Sequence, residues 1–165
     1  MILFLDFDGV LHPDAVFRRG GRPTLVHRDP DARLFMWAEH LTDSLMLFPD
    51  LRIVLSTSWA RWLGFDRARD ALTPALRARV IGSTWHSGMA RVEGYSRAQT
   101  WWDSVTRYQQ IRRYVDRGGV SDWLAVDDDG HGWSTAERRR LVLTDRERGL
   151  GEQATRDELL EKLAS

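Results

Sequence analysis

Apolar residues are distributed along the chain in two alternating patterns. Short, largely apolar runs, typical of buried strands, occur at residues 2–5, 51–55, 80–82, 123–126 and 141–143. Between several of these runs, apolar residues recur at the three- and four-residue spacing of an amphipathic helix. The pattern therefore predicts strands that alternate with helices.

Two of the predicted helices bear on the functional argument. The first has Asp29 as its N-cap, Pro30 at its first helical position, and ends at Pro49. The second covers residues 104–117 and leads into the fourth predicted strand. Residues 10–28 are polar, contain glycines and show no periodicity, so we predict a long loop or flap there.

Alternating strands and helices favour an α/β fold, with a Rossmann-like parallel sheet covered by helices on both faces. The length of 165 residues suits one domain, residues 1–165. In such sheets, ligands bind beyond the carboxyl ends of the strands. Three predicted strands end there in chemically active residues: Asp6, Ser56-Thr57 and Asp127-Asp128. We therefore expect the functional site at this edge.

Composition narrows the classes of function. The chain has no cysteine, which excludes disulfides, thiolate metal ligands and a cysteine nucleophile. Its 24 basic and 24 acidic residues give a formal net charge of zero, so any contact with nucleic acid has to be local. No segment approaches the roughly 18 continuous apolar residues that cross a bilayer. We expect a cytoplasmic protein with no membrane contact and no obligate protein partner.

Acidic residues at the predicted edge suggest a cation site. Asp6 and Asp8 follow a strand two residues apart, and Gly9 permits a sharp turn. Taken alone, an Asp-Gly pair is more typical of a simple turn, and Asp127 with Asp128 is typical of a solvated acidic loop. Carboxylates brought together need a cation to offset their repulsion, and oxygen ligands that leave room for water and phosphate suit magnesium.

Three motifs, taken in chain order, resemble those of the haloacid dehalogenase-like (HAD) phosphatase superfamily. DFDG at residues 6–9 is similar to its first motif, LSTS at 55–58 to its second, and LAVDDD at 124–129 to its fourth. DFDGVLHP, LSTSW and a late GLG before a helix are similar, more narrowly, to the small branch found as a domain in Swiss-Army-knife RNA-repair proteins. The chain has no room for a large cap domain, so we expect a HAD-like fold with an open site.

The resemblance implies roles for individual residues. Asp6 would be the nucleophile and form an aspartyl-phosphate, and Asp8 the general acid and base. Thr57 and Ser58 would bind the phosphate.

The resemblance also implies a magnesium ion. Asp6, Asp127 and the backbone carbonyl of Asp8 would hold it, and Asp128 would hold a metal-bound water or an arginine.

The third motif departs from the family pattern, which usually has a lysine ahead of the strand that carries the paired acids. The only lysine, Lys162, lies in the predicted terminal helix. An arginine must therefore supply the charge on the phosphate. We predict Arg107 for this role, with Arg97 and Arg112 as alternatives.

The leading hypothesis is a magnesium-dependent phosphohydrolase that acts on a nucleotide or nucleic-acid terminal phosphate. The alternatives are a phosphatase of a small metabolite and an inactive phosphate-binding module. A receiver-like signalling domain is disfavoured, because the acceptor aspartate is not on a middle strand and the late lysine is missing.

The sequence supports two interpretations for several further residues. His12 can be an ordinary hydrogen-bonded loop histidine or can lean over the site, and the flap arginines can guide an anionic substrate or form a solvated face. Six tryptophans in or near loops can stack on a base or simply pack: Trp59, Trp62, Trp85, Trp101, Trp102 and Trp133.

Overall fold

A five-stranded parallel sheet is the central element of this computed structural model, which describes residues 1–87, 89 and 101–165. The described strands are β1 (Ile2–Leu5), β2 (Val16–Arg19), β3 (Arg22–Leu25), β4 (Arg52–Leu55), β5 (Val80–Ser83), β6 (Trp123–Asp127) and β7 (Leu141–Leu143). The sheet order is β5-β4-β1-β6-β7, and β2 and β3 form a separate antiparallel pair. The predicted sheet strands agree with the structure to within one residue at each end.

Helices cover both faces of the sheet. The described helices are α1 (Ala38–Leu45), α2 (Ser58–Trp62), α3 (Phe65–Asp70), α4 (Pro74–Arg77), α5 (Trp101–Ser104), α6 (Arg107–Gly118) and α7 (Gln153–Ala164). Leu3 and Leu5 of β1 join the apolar cluster that includes α1 and α7, whereas Phe4 joins the cluster that includes α6. Successive residues of a strand point to opposite faces, so a run that is apolar throughout has to be buried on both. The predicted fold class is confirmed.

The register of the central strands determines which residues meet at the carboxyl edge. Leu5 is level with Leu55 on one side and with Val126 on the other. The next residues stay bonded to the sheet, since the Asp6 N–H donates to the Val126 carbonyl at 3.1 Å and the Ser56 N–H to the Leu5 carbonyl at 2.8 Å. The three strand ends that carry candidate residues therefore emerge side by side.

The segment predicted as a flap, residues 10–28, contains the β2–β3 hairpin instead of an irregular loop. Gly20 and Gly21 connect the two strands with φ angles of 55° and 78°. Two successive positive φ values are the geometry of the tight turn that matches the twist of a hairpin, and glycine adopts it without steric cost.

The prediction that the first long helix begins at Pro30 is wrong, because α1 starts at Ala38. Phe35 has a φ of 59°, a left-handed conformation that interrupts a right-handed helix. Its N–H donates to Nδ1 of His12 at 3.3 Å. The Asp29 side chain accepts from the Asp31 N–H at 2.9 Å, which makes a local turn.

The predicted helix at residues 104–117 begins later, at Arg107. Thr106 is its N-cap and forms a reciprocal capping box with Gln109. Ser104 ends the short helix α5.

No helix in the described part of the chain has both the length and the apolar content needed to cross a membrane.

Candidate active site

Asp6 is the buried centre of the candidate site, with 4% of its surface exposed. Its Oδ1 accepts the Phe7 N–H at 2.8 Å. Burial raises the pKa of Asp6 to about 6, and the nearby Asp8 acts in the same direction. Arg107, the Phe7 N–H and the Thr57 hydroxyl favour the ionised form and oppose the rise.

Arg107 lies against two of the acidic residues. Its Nη2 donates to Oδ2 of Asp6 at 3.3 Å, and its Nε lies 3.3 Å from Oδ2 of Asp127. Burial opposes the charge of the guanidinium, but Asp6 and Asp127 outweigh it and raise the pKa of Arg107. One arginine therefore carries the positive charge between two buried carboxylates.

Neighbouring groups restrict the guanidinium of Arg107. Its Nη1 donates to Oε1 of Gln110 at 3.1 Å, and the Gln110 amide donates to the Trp102 carbonyl at 2.8 Å. The Trp102 ring lies under the guanidinium, with 5.3 Å between Cζ and the ring centroid. Because Arg107 is the first residue of α6, the helix start directs it towards the carboxyl edge of the sheet.

The other cations considered for the third motif lie elsewhere or outside the described residues. Arg112 pairs with Asp116 at 2.7 Å on the exposed side of α6. Lys162 donates to the Leu141 carbonyl and to Glu158, and so joins α7 to β7. Arg97 lies outside the described residues.

Asp8 has a separate set of partners. Trp59 Nε1–H donates to both oxygens of the Asp8 carboxylate at 3.1 Å, and His12 Nε2 lies 3.0 Å from Oδ1. His12 is fully buried, and its Nδ1 accepts the Phe35 N–H. Since Nδ1 must carry a lone pair to accept, the proton is on Nε2, and His12 donates to Asp8 as a neutral imidazole. His12 is thus both a hydrogen-bonded loop residue and a direct neighbour of the site.

Asp6, Asp127 and Asp128 form an acidic cluster, each with an oxygen within 4.8 Å of an oxygen of the others. Burial, followed by the charge of Asp6, raises the pKa of Asp127 well above its usual range and that of Asp128 to about 7. The Asp8 carboxylate is not part of the cluster.

The family model described as "HAD domain in Swiss Army Knife RNA repair proteins" matches residues 2–155. The chain belongs to this family. No match was found among the curated proteins or among the solved structures.

Membership agrees with the fold and with the hydrolase class. HAD domains are generally phosphatases or other hydrolases, and the parallel sheet with acidic residues at its carboxyl edge is the HAD arrangement. Among the described residues, no cap domain covers that edge.

The donor set of this HAD domain fits a hard divalent cation. All three side chains of the acidic cluster offer carboxylate oxygens. Oδ2 of Asp127 is buried and accepts no hydrogen bond, since its contact with Arg107 Nε lacks hydrogen-bond geometry. A buried oxygen with a free lone pair beside two other carboxylates is suited to a metal ion.

The phosphate-binding candidates lie where β4 passes into α2. Thr57 is fully buried and is the N-cap of α2, accepting the Trp59 N–H at 3.4 Å. Ser58 is half-buried and is the first residue of that helix. Their predicted roles in phosphate binding stay predictions.

Gly9 and Arg146 shape the surroundings of Asp128. Gly9 has a φ of 68°, and a Cβ there would lie 2.8 Å from the Asp128 side chain, so this HAD domain requires glycine after Asp8. Arg146 Nε pairs with Oδ2 of Asp128 at 3.1 Å.

Gln110, Arg146 and the contact of Trp59 with Asp8 are functional features that the sequence did not predict. Trp59 is only 2% exposed and packs in the apolar core, so the packing alternative is right and the base-stacking alternative is wrong; in addition, its indole N–H donates to Asp8. Gln110 has one detectable signal: it lies three residues after Arg107 on one helix face. Arg146 has none, because its contact with Asp128 depends on how the chain returns to the edge after β7.

Proposed function

We propose that this protein is a magnesium-dependent phosphohydrolase that forms an aspartyl-phosphate on Asp6 and acts on nucleotide or nucleic-acid terminal phosphates. One observation carries the proposal: two acidic side chains, two residues apart, have different surroundings. Asp6 contacts a buried cation, Arg107, whereas Asp8 is held by Trp59 and His12. Two carboxyl groups with such different partners suit two different roles.

In the first step, a carboxylate oxygen of Asp6 attacks phosphorus and an O–P bond forms. The bond between phosphorus and the leaving oxygen breaks, and Asp8 gives that oxygen its proton. Asp6 and Asp8 both follow the end of β1, two residues apart.

In the second step, Asp8 takes a proton from water as the water oxygen attacks the same phosphorus. The bond to Asp6 breaks, and inorganic phosphate and the free carboxylate of Asp6 are released. Trp59 and His12 donate hydrogen bonds that orient the Asp8 carboxylate in both steps.

The charge of the transferred phosphate is offset by several groups. Arg107, Thr57 and Ser58 bind and orient it, with Arg107 already directed at Asp6. Asp6, Asp127 and the backbone carbonyl of Asp8 would hold magnesium, and Asp128 a metal-bound water. The bound ion would neutralise charge on the equatorial phosphate oxygens.

A terminal phosphate on a large substrate is favoured over a small metabolite. The matching family is described as part of RNA repair proteins, and the described residues include no cap over the site. A groove of about 410 Å³ beside α6 reaches Gln110, but neither Asp6 nor Asp8 lines it. It therefore offers no enclosed chamber around the reacting groups for a small substrate.

The test compares Asp6→Asn with Asp116→Asn, which removes the same charge from the exposed side of α6. Asp6→Asn should abolish release of phosphate from a phosphorylated oligonucleotide and from an aryl phosphate, and acid quenching should trap no phosphorylated protein. Asp116→Asn should still release phosphate from both substrates and should still yield phosphorylated protein on acid quenching. Turnover by Asp6→Asn at the wild-type rate would overturn the mechanism. A higher kcat/KM for phosphorylated sugars than for oligonucleotide ends would overturn the proposed substrate class.

A further inference from the structure

The segment from Ala15 to Arg28 has a charge unlike that of the chain as a whole. It contains Arg18, Arg19, Arg22 and Arg28 and no acidic residue, whereas the full sequence has equal numbers of acidic and basic residues. All four arginines are exposed. Three of them, Arg18, Arg19 and Arg22, lie on the β2–β3 hairpin, which therefore carries a local net positive charge of the kind that a contact with a polyanion requires.

The pairing of the hairpin collects part of this charge on one face. Phe17 is opposite Thr24, and Arg19 is opposite Arg22. Because side chains alternate along a strand, these four residues share a face, which we call the arginine face. Phe17 is 56% exposed and lies diagonally across from Arg22.

The arginine face has an unfavourable arrangement for a solvated surface. Two like charges directly opposite each other destabilise an antiparallel pair. Within the described residues, neither Arg19 nor Arg22 forms an ion pair or a side-chain hydrogen bond, although Arg61, Arg112 and Arg148 all do. An anion bound between the two guanidinium groups would remove the repulsion.

The base of the hairpin is tied to the rim of the candidate active site. Asp14, just before β2, lies 3.7 Å from Arg146, whose Nε pairs with Asp128 at 3.1 Å. His27, just after β3, lies 2.9 Å from Glu147. Val16, on the face opposite the arginine face, packs against the core. The arginine face therefore points away from the core beside the open edge of the sheet.

We propose that the arginine face binds the backbone of a single-stranded polynucleotide whose terminal phosphate enters the site at Asp6. Arg19 and Arg22 contact consecutive phosphates, and Phe17 stacks on a base. The binding itself stands on the hairpin alone, whereas the delivery of an end to Asp6 rests on the proposed function.

The binding test uses a fluorescently labelled single-stranded 12-nucleotide RNA and the DNA of the same sequence, titrated at several salt concentrations. The double variant R19Q/R22Q should reduce the slope of log affinity against log salt by about 1.4, since each phosphate contact on a single strand contributes about 0.7. The affinity should accordingly be about 25-fold weaker at 0.1 M salt and should approach that of the unchanged protein near 1 M.

The matched control is R67Q/R77Q, which removes two exposed arginines from α3 and α4 and gives the same change in net charge. It should leave the salt slope within experimental error. Equal losses in the two double variants would overturn the proposal, because the effect would then follow net charge and not the arginine face. Stronger binding to RNA than to DNA would assign part of the contact to the 2′-hydroxyl, and equal binding would assign it to phosphate and base alone.

The stacking contact has its own test. Phe17→Leu should weaken binding about tenfold with no change in the salt slope, and Phe17→Tyr should restore it, because tyrosine keeps the ring face. Full affinity in Phe17→Leu would remove Phe17 from the interface.

The binding proposal and the proposed function can fail separately. If R19Q/R22Q loses kcat/KM for oligonucleotide ends but keeps kcat on an aryl phosphate, both stand. If the aryl phosphate is hydrolysed and R19Q/R22Q binds oligonucleotides as the unchanged protein does, only the arginine face is wrong. If the variant loses binding but the unchanged protein hydrolyses no phosphoester, only the proposed function is wrong.

Discussion

Arg107 is the residue on which the charge balance of the site depends. It is the only described arginine that contacts both Asp6 and Asp127, and its side chain is 14% exposed. Removing one member of a buried ion pair leaves an uncompensated charge and costs about 3–5 kcal/mol. In this site, the loss leaves two carboxylates facing each other.

We expect Arg107→Ala to lower kcat on an aryl phosphate about 100-fold or more and to lower the melting temperature, because both carboxylates lose their cation. Arg107→Lys should recover part of both losses, since it restores charge but not the several contacts of the guanidinium. Arg112→Ala, which breaks only the exposed pair with Asp116, is the control. Equal activity in Arg107→Ala and Arg112→Ala would remove Arg107 from phosphate binding.

Asp8 provides a second test at the level of single residues, through the partner that holds it. Trp59→Phe keeps most of the packing with Phe7 and Phe35 but removes the N–H donated to Asp8. Proton transfer matters most when the leaving group is a poor one. We expect kcat for an alkyl phosphate to fall about tenfold or more, and formation of the aspartyl-phosphate from p-nitrophenyl phosphate to change little.

Asp8→Asn should lower alkyl phosphate turnover about 10²–10⁴-fold, the range for a positioned acid or base. The packing control for Trp59→Phe is Trp123→Phe, which alters a buried tryptophan beside Phe4 and Trp133. It should affect turnover of the alkyl phosphate and of p-nitrophenyl phosphate alike. If Asp8→Asn slows the first step equally for good and poor leaving groups, Asp8 is not the general acid.

Among the elements, the start of α6 has the clearest link to function. Thr106 accepts the Gln109 N–H at 3.2 Å, and Gln109 Oε1 accepts the Thr106 N–H at 2.9 Å. This cap determines where the helix begins and so the direction in which its first residue, Arg107, points.

Thr106→Ala should destabilise the protein by about 1 kcal/mol and also lower kcat, because the first turn that carries Arg107 loses its cap. Thr73→Ala removes the equivalent cap of α4, where Thr73 accepts the Leu76 N–H. It should cost similar stability without loss of activity. If both variants lower kcat equally, the effect comes from general stability and not from the position of Arg107.

For the whole molecule, the acidic cluster links stability to pH. Burial raises the pKa of Asp6 to about 6 and that of Asp128 to about 7 in the folded protein. A carboxyl group with a raised folded pKa stays protonated while its unfolded counterpart, near 4, has ionised. The unfolded chain then binds fewer protons, so stability is lost as pH rises from about 4 to 7.

Magnesium should offset this loss, because its carboxylate ligands must be ionised to bind it. We expect magnesium to raise the melting temperature more at pH 8 than at pH 5. At ten times its dissociation constant, the gain is about 1.4 kcal/mol, or about 3–5 °C for a chain of this size. Asp127→Asn should abolish the shift, and Asp116→Asn should keep it. A shift that is independent of pH would contradict binding at the acidic cluster.

Elements near the site show where reasoning from the sequence succeeds and where it fails. The apolar runs predicted β1 and β6 most clearly, because a central strand buried on both faces has to be apolar at nearly every position. The helix start at residue 30 was wrong because a cap signal at Asp29 and Pro30 is local, whereas the left-handed Phe35 is held by a hydrogen bond to His12 from elsewhere in the chain. The capping box at Thr106 was readable from the sequence and would have set the start of α6.

The sequence by itself determined that Asp6, Thr57 and Asp127 share one edge of a sheet. Each follows an apolar run, and the carboxyl ends of neighbouring parallel strands meet at the same side. That inference needs only local pattern and chain order. The family resemblance, together with a single lysine near the end of the chain, also predicted an arginine beside Asp6, and Arg107 contacts Asp6 in the structure.

Only the tertiary structure decided which side chains support the acidic residues. Trp59 reaches Asp8 across 51 positions of sequence, and Arg107 reaches Asp6 across 101. Such contacts depend on strand register, on the exact start of α6 and on the left-handed turn at Phe35. None of these leaves a periodic pattern in the sequence, because each arises where distant segments pack together.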